Sequence, residues 1–409
     1  MPLPTVQDTA TPTTLFPVSP AEPSSSPTTT PTPLHCRVPR DTLVPLLALL
    51  HSVAETRSAV PILTHLSLEA QASGTLELRA TDLEIGLRCR CPATVTTPGA
   101  CTVEARRFSD IVRALPAGDL HLSTSRTDHA GLVLTLRCEK SRVRLLSLEP
   151  SEFPLLQAPP GEMATFPLPV ATLRAMIART VFCVPPDPSR SHLHGVFCEP
   201  YASDSVRLVA SDGHRLAVVD RAVPGRPASL PSVLLPAKGM VEARKLLEST
   251  SEEIATMALS STLATLTVGD TMLTLRLGES AFPDYRAAMP APGPHQLSVG
   301  RADLLAALRR LLILTTERER GVTLTIRPDT LALSVATNAL GEGTEEMPIA
   351  YHGDPLTIGF NARYLLDFVS ALDPATQVIL ALRDASTPAL LWTEDDSGYR
   401  YVLMPMRID

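Results

Sequence analysis

The feature that most constrains the fold of this chain is a threefold internal repeat. A strand-like apolar run that ends in Ala, then Thr or Ser, then Asp or Asn occurs as LELRATDLEIGL (76–87), VRLVASDGHRLAV (206–218) and LALSVATNALGEG (331–343). The shared alanines are Ala80, Ala210 and Ala336, so the copies recur after 130 and 126 residues. A period of this size is the length of a small domain. The sequence therefore predicts one domain built three times.

Each copy of the turn lies between two segments with an apolar stripe at the helical period. In the first segment, for example, Leu43, Leu46, Leu47 and Leu50 form the stripe. The six predicted helices are 40–52, 104–115, 169–180, 238–249, 301–311 and 361–373. The runs between them alternate or are rich in β-branched residues and are broken by Gly, Asp, Asn and Pro, as strands are. We therefore predict an α+β fold, with two helices packed on antiparallel sheet in each of three repeated domains.

The predicted domains are 35–160, 161–291 and 292–409, preceded by a tail of residues 1–34. The tail is dominated by Pro, Thr and Ser, and no Lys or Arg precedes Arg37. A secretory signal needs a basic start and an apolar middle, and a transit peptide needs arginines. We therefore expect a disordered tail rather than a targeting segment.

Several classes of function have no support in the sequence. The seven cysteines include no C-x-x-C pair, and although Cys89 and Cys91 would share a strand face, buried and unreactive thiols are favoured over a metal site. No phosphate-binding glycine motif occurs, so no nucleotide, metal or other cofactor is expected. The apolar run 43–50 is too short to span a bilayer. The composition suits a protein of a reducing cytoplasm.

Charge is distributed unevenly along the chain. The six predicted helices together carry a net charge of about +5, whereas the whole chain carries −7. One interpretation is an ordinary solvated helix surface. The other is a basic helical wall, since Lys and Arg contacts to phosphates can hold DNA of any sequence.

The second copy of the turn contains Asp212, His214 and Arg215. Three interpretations are open: a catalytic constellation, side chains that only solvate a hairpin, or the rim of a site for a guest peptide. The other two copies lack the His-Arg pair, so the fold itself does not require it. Catalysis is disfavoured because no nucleophile motif such as G-x-S-x-G accompanies the Asp-His pair.

From about residue 35 to its end the sequence resembles the bacterial DNA polymerase III beta subunit family, the sliding clamps. The motifs that carry the resemblance are VPILTHLSLE, ATDLEIGL, VASDGHRLAV, FPDYRAAMP, FNARYLLDFVSAL and YVLMPMR, in the family's order. The resemblance implies a head-to-tail homodimer in which each chain forms half of a closed ring around duplex DNA. It implies a non-catalytic, cytoplasmic processivity factor that tethers the polymerase.

The resemblance also implies roles for individual residues. A peptide-binding pocket would be formed by Leu193, Ser211, Gly213, His214, Arg215, Leu216, Pro283, Val402, Leu403, Met404, Pro405, Met406 and Arg407. It would bind short hydrophobic peptides of the polymerase III alpha subunit, the clamp loader, other polymerases and repair proteins. DNA-facing residues would be Arg57 and Lys238, with Arg106, Arg174 and Arg309 on the basic helices. The dimer interface would pair Val143 and Leu145 with Ile313 and Leu314.

The sequence departs from the family's pattern at one wall of this pocket. Ala287 and Ala288 stand where the family often has a basic and then an apolar residue, so that wall would be shallower. An alternative to the working clamp, from a different class of function, is a clamp-fold paralogue that serves as a peptide-binding scaffold or as an inhibitor-resistant duplicate.

Overall fold

The computed structural model describes residues 33–128, 131–156, 163–278 and 280–407. Within these ranges lie six α-helices: α1 (Arg40–Val53), α2 (Ala105–Ala114), α3 (Val170–Ala178), α4 (Ala237–Glu248), α5 (Arg301–Leu311) and α6 (Ala362–Ser370). All six were predicted, and each end lies within three residues of the prediction. The predicted tail, apart from its last two residues, and the predicted boundary at 160/161 lie outside the described residues.

Twenty-five β-strands accompany the helices within the same described ranges. The first repeat contributes β1 (His35–Pro39), β2 (His65–Gln71), β3 (Thr75–Thr81), β4 (Ile85–Pro92), β5 (Thr94–Thr97), β6 (Gly99–Glu104), β7 (Asp119–Thr127), β8 (Gly131–Cys138) and β9 (Ser141–Ser147). The second contributes β10 (Ala164–Pro169), β11 (Gly195–Tyr201), β12 (Ser205–Ser211), β13 (Arg215–Ala222), β14 (Val233–Pro236), β15 (Ile254–Leu259), β16 (Leu263–Val268) and β17 (Thr271–Arg276). The third contributes β18 (His295–Gly300), β19 (Gly321–Arg327), β20 (Thr330–Thr337), β21 (Gly341–Pro348), β22 (Leu356–Asn361), β23 (Gln377–Leu382), β24 (Ala389–Thr393) and β25 (Asp396–Leu403).

The strands form four antiparallel sheets, two of which continue from one repeat into the next. Their orders are β5-β1-β7-β8-β9, β10-β15-β16-β17-β4-β3-β2-β6, β14-β11-β12-β13-β25-β24-β23-β18 and β21-β20-β19-β22. At the first junction β17 pairs with β4, and at the second junction β25 pairs with β13. Backbone hydrogen bonds therefore join the three repeats into one body.

The helices pack in pairs, α1 with α2, α3 with α4 and α5 with α6, and α1 also contacts α4 across the first junction. Each buries its apolar stripe against the sheets. In α6, for example, Leu365, Phe368 and Val369 are fully buried, which stabilises the fold by about 1.5–3 kcal/mol per side chain. The helix begins where the Asn361 side chain accepts a hydrogen bond from the Arg363 N–H at 3.0 Å.

The structure corrects one element of the predicted helical charge. Arg179 was assigned to the exposed face of a helix ending at residue 180, but α3 ends at Ala178. Arg179 is only 8% exposed and forms ion pairs with Asp373 and Asp396 of the third repeat. Its charge is therefore used in ion pairs across the second junction and does not contribute to the exposed surface of the helix.

All seven cysteines are buried and free of disulfides. Burial raises the pKa of the Cys36 thiol to about 11 and that of Cys89 to about 12. Protonated thiols in apolar surroundings are unreactive, in agreement with the interpretation preferred from the sequence. In the described part of the chain, no three His, Cys, Asp or Glu residues are grouped so that they could hold a metal ion. None of the described helices is long and apolar enough to cross a membrane.

Candidate functional site

The three repeated turns share one hydrogen-bonding scheme. The hydroxyl of Thr81 donates to the carbonyl oxygen of Ile85 at 2.8 Å, and the hydroxyl of Ser211 donates to that of Arg215 at 2.8 Å. In the third turn Thr337 donates to Gly341 at 3.4 Å. The repeated Thr or Ser is therefore explained by the turn itself, since a short hydroxyl side chain can satisfy a nearby backbone group.

The aspartate of the turn is also structural. One carboxylate oxygen of Asp212 accepts the N–H groups of His214 and Arg215 at 2.9 and 3.0 Å. Asp82 accepts the corresponding N–H groups of the first turn at 3.0 and 2.6 Å. Because the same contacts form without a histidine in the first copy, they hold the turn and do not prepare His214 for proton transfer.

Position 213 requires a left-handed backbone. Gly213 has φ +87°, which glycine adopts without steric penalty. The equivalent residue of the first turn is Leu83 with φ +77°, a conformation that is about 1 kcal/mol less favourable for a residue with a side chain. The second turn is thus the less strained of the two, and it also presents no side chain at its tip.

The side chain of Arg215 is buried and links the second repeat to the third. It is not an exposed residue at the rim of a peptide site. It is 9% exposed, and its guanidinium donates to Asp212 at 3.0 Å, to Asp367 of α6 at 2.8 Å and to the carbonyl oxygen of Phe182 at 2.5 Å. Of the His-Arg pair, only His214 presents its side chain to solvent. The expectation that the fold does not need these side chains is therefore wrong for Arg215, which fixes the second repeat to the third.

A second apolar cluster, here called the junction patch, lies at the second junction on the face of the sheet opposite the main core. Its buried members are Val209, Leu216, Val218, Tyr285, Leu390 and Val402, and packed against them are Phe197, Phe282, Met289 and Trp392. Leu216 of β13 and Val402 of β25 lie directly opposite each other in the sheet. The patch is separate from the main core. Its members come from strands of both the second and the third repeat, so it forms where these repeats meet.

The segment between the second and third repeats is fixed to this patch. Phe282 stacks on Phe197 with ring centroids 5.1 Å apart. The Tyr285 hydroxyl donates to the buried Glu199 carboxylate at 2.5 Å, and Arg286 donates to the same carboxylate at 2.7 Å. The pKa of the Tyr285 hydroxyl is raised, first by burial and then by this hydrogen bond. The connecting segment is thereby held as one wall of the patch.

The structure brings most of the predicted pocket residues together around this patch. Leu193 is buried, Ser211, Gly213 and His214 form the turn, and Pro283 is exposed beside Phe282. Met404 is 41% exposed, and its N–H donates to the carbonyl oxygen of His214 at 2.9 Å. Pro405 follows it, half-buried.

Three predicted pocket residues have other surroundings in the structure. Leu403 is fully buried in the main core, because alternation along β25 turns it away from the outer face that carries Val402. Met406 and Arg407 instead line a cavity of the third repeat, where the Met406 N–H donates to Gly359 at 2.8 Å. These three residues are not members of the apolar cluster, and their place in the pocket stays a prediction.

Sequence reasoning missed other members of the patch, notably Val218, Leu390 and Trp392. Val218 could have been found, since it is two residues beyond Leu216 and strand alternation places both on one face. Leu390 and Trp392 lie on β24, which forms a tight hairpin with β25 and places Leu390 opposite Val402, so the hairpin pattern could have found them as well.

The predicted DNA-facing cations are exposed but differ in their pairing. Among the described residues, Arg57, Arg174 and Arg309 have no carboxylate partner. Arg106 is 3.9 Å from Asp110 and remains largely exposed. Lys238 donates to Asp82 across the first junction, so part of its charge is already compensated.

The predicted interface residues lie at the two ends of the chain of repeats. Val143 and Leu145 are half-buried on β9, the edge strand of the first sheet. Ile313 and Leu314 follow α5 in a single helical turn, and Ile313 is 77% exposed. An apolar side chain so exposed is typical of a surface that another chain covers.

Comparisons with known proteins cover the whole repeat region. Models of the DNA polymerase III beta subunit match in three parts: the N-terminal domain at residues 34–157, the central domain at 167–284 and the C-terminal domain at 286–407. A beta sliding clamp of Caulobacter vibrioides is 31% identical over 375 residues, which are 91% of this chain and 99% of that protein. The beta sliding clamp of Escherichia coli K12 is 32% identical over 353 residues, 86% of this chain and 94% of that protein.

Solved structures agree. A sliding clamp from Bartonella birtlesii bound to griselimycin superposes with a TM-score of 0.85 at 32% identity, covering 92% of this chain and 100% of that one. The Caulobacter crescentus clamp, crystallised with polyethylene glycol, has a TM-score of 0.85 at 31% identity and covers 92% of this chain and 99% of that one. The chain therefore belongs to the DNA polymerase III beta subunit family of sliding clamps, the non-catalytic processivity factors of DNA replication.

Proposed function

We propose that two copies of this chain join head to tail into a ring that encircles duplex DNA and tethers the replicative polymerase. The observation that carries this proposal is the pairing rule at the junctions. In both, the strand after the repeated turn, β4 or β13, pairs with the last strand of the next repeat, β17 or β25. The strand after the third turn, β21, is an edge strand, and so is β9, the last strand of the first repeat. Pairing β21 of one copy with β9 of another closes the ring by the same rule.

With the first junction as the template, a register for this intersubunit pair follows. At the first junction Thr271, the first residue of β17, lies opposite Cys89, the eighth residue after Thr81. The corresponding residues are Ser141, which begins β9, and Glu345, eight after Thr337. Counting antiparallel from that pair places Arg144 opposite Glu342 and Leu146 opposite Leu340.

The two edges are complementary in this register. The outward side of β9 carries Arg142 and Arg144, whereas β21 carries Glu342 and Glu346, and all four are exposed. Leu146 and Leu340 are 69% and 51% exposed in the single chain, so their contact removes apolar surface from water. Opposite charges and matched apolar residues across strands favour pairing. The proposed interface residues Ile313 and Leu314 pack beside β21, where Leu314 approaches Gly343.

We propose that the helices form the inner wall. Arg57, Arg174 and Arg309 have no carboxylate partner among the described residues and are free to contact phosphates, and Arg106 and Lys238 add to the same surface. Phosphate contacts carry no sequence information, so such a wall permits sliding. Retention then depends on enclosure and not on tight binding.

We propose that the junction patch binds short hydrophobic peptides of the polymerase III alpha subunit, the clamp loader, other polymerases and repair proteins. Its aromatic and aliphatic surface, with the exposed Met404 beside it, fits an apolar peptide anchor. Two related clamp structures contain griselimycin, which makes that compound the probe of choice for this surface.

The domain limits 35–160, 161–291 and 292–409 remain our proposal; the ranges of the three family models lie within them except for residue 34 and the six residues 286–291. A bacterial replication clamp acts on the chromosome, so we place the protein in the cytoplasm. We propose no function for the tail of residues 1–34.

Charge reversal of the inner wall tests this function. In the variant with Arg57, Arg174 and Arg309 each changed to Glu, we expect far fewer clamps loaded on circular DNA. We also expect a shallower dependence of retention on salt, because each lost phosphate contact removes about 0.9 from the slope. The control is Arg327→Glu, an exposed arginine of β19, compared with each of the three single Arg→Glu variants, which carry the same change of charge. Unchanged loading of the triple variant would favour a paralogue that serves as a peptide-binding scaffold.

A further inference from the structure

A second groove lies at the first junction, where the repeat places the counterpart of the junction patch. It is a cavity of about 280 Å³ on the outer face of β3, β4 and β17. Its lining includes Arg79, Gly86, Arg88, Phe153, Leu156 and Met272. Gly86 lies opposite Thr274 in the sheet, as Leu216 lies opposite Val402 at the second junction. The two sites therefore occupy equivalent positions at the two junctions between repeats.

The apolar end of the groove owes its shape to Gly86. A Cβ atom at this position would lie 3.0 Å from Leu156 Cδ1, so Leu156 packs where the second junction has the side chain of Leu216. Phe153 is buried beside it with Ile62 and Leu63. Leu155 is 57% exposed at the mouth. The connecting segment thus supplies an apolar wall and leaves part of it open to solvent.

The other end of the groove contains an unsatisfied cation. Arg88 Nε is buried without a hydrogen-bond partner, and Arg88 Nη2 donates to the sulfur of Met272 at 3.7 Å. Among the described residues no carboxylate pairs with it, whereas its cross-strand neighbour Arg79 pairs with Glu69 and Glu77. A guanidinium has five donors, and a thioether is a weak acceptor. Arg88 is therefore poised to bind a carboxylate in a bidentate manner.

We propose that this groove is a second peptide-binding site, for a segment of another protein that carries a carboxylate next to an aliphatic side chain. Gly86 and Arg88 point to the same face of β4 and lie about 7 Å apart, the distance between alternate side chains on one face of an extended peptide. The volume is just below the ~300 Å³ at which small-molecule pockets begin, so it fits one or two side chains. The site differs from the junction patch in requiring an acidic group.

The test compares two tripeptides, Leu-Leu-Asp and Leu-Leu-Asn, both with an amidated C-terminus and tetramethylrhodamine at the N-terminus. Anisotropy with the full chain at low salt should show the Asp peptide binding at least about tenfold more tightly, as expected for a charge-assisted pair. Arg88→Met should abolish this preference. Arg327→Met, which removes an exposed arginine of the third repeat, should keep it.

A second variant guards against indirect effects of altering the sheet. Leu155→Asp changes an exposed residue at the mouth of the groove, so the fold should persist, and the new carboxylate should repel the Asp peptide and weaken its binding at least fivefold. Saturating griselimycin should leave the binding of the Asp peptide unchanged. The proposal is overturned if native protein shows no preference for the Asp peptide, or if the preference survives Arg88→Met.

Discussion

Reversing one charge at the proposed intersubunit seam should weaken the dimer, and reversing its partner should restore it. In the register taken from the first junction, Arg144 of β9 lies opposite Glu342 of β21. Both side chains are exposed in the single chain, and among the described residues neither has another ion-pair partner. The pair is therefore free to form across the seam.

The expected magnitude follows from the number of seams. An opposite-charge cross-strand pair contributes about 0.2–1 kcal/mol, and a like-charge pair is unfavourable by a similar amount. Arg144→Glu changes one pair at each of two seams. The ring should therefore lose about 2 kcal/mol, which raises the dimer Kd about 30-fold.

Sedimentation equilibrium at several concentrations measures this Kd directly. Arg144→Glu should weaken the dimer, Glu342→Arg should do the same, and the double variant should return close to the native Kd. The difference should shrink at 1 M salt, where the Debye length falls to about 3 Å. Arg327→Glu is the control of equal charge change. If the two single variants dimerise like the native chain, or if the double variant is the weakest of the three, the register is wrong.

Three further outcomes are expected. Arg215→Met should lower the free energy of unfolding by about 3 kcal/mol in urea titrations, because it leaves Asp212 and Asp367 without their buried cation; a loss below 1 kcal/mol would contradict this. Met404→Asp should weaken griselimycin binding at least tenfold in calorimetry, whereas Ile254→Asp, at another exposed apolar position on β15, should not; equal effects would remove Met404 from the site. At pH 8 the buried thiols should resist iodoacetamide in mass spectrometry, because burial raises the pKa of Cys36 to about 11 and its reactive thiolate gains population only as the pH approaches that value; rapid labelling of the native protein would refute this.

The elements that sequence reasoning predicted well are those specified locally. All six helices were found because an apolar stripe such as Leu43, Leu47 and Leu50 faces the core wherever the helix packs. The turns were found because Thr81 and Ser211 satisfy their own backbone, a role written into the residue type. Three repeats with two helices each followed from these signals.

The features that could not be predicted lie at the junctions, where a sheet of one repeat continues into the next. The local pattern marks Arg215 as an exposed turn residue, because its partner Asp367 is 152 positions away. Arg179 was misassigned for the same reason, since its partners Asp373 and Asp396 belong to another repeat. Leu403 was counted toward the pocket because its family motif is contiguous, whereas strand alternation sends neighbouring side chains to opposite faces. Junctions are formed by residues remote in sequence, so they emerge only in the structure.

Closure around DNA is tested most directly by loading the protein on a nicked circular plasmid, removing free protein by gel filtration, and then cutting the plasmid once. A ring that holds DNA by enclosure slides off the new ends, so the bound fraction should persist on the circle and fall to background after cutting. Equal retention on circular and cut DNA would show that the chain grips the duplex by its surface, and the account of a closed ring would then be wrong.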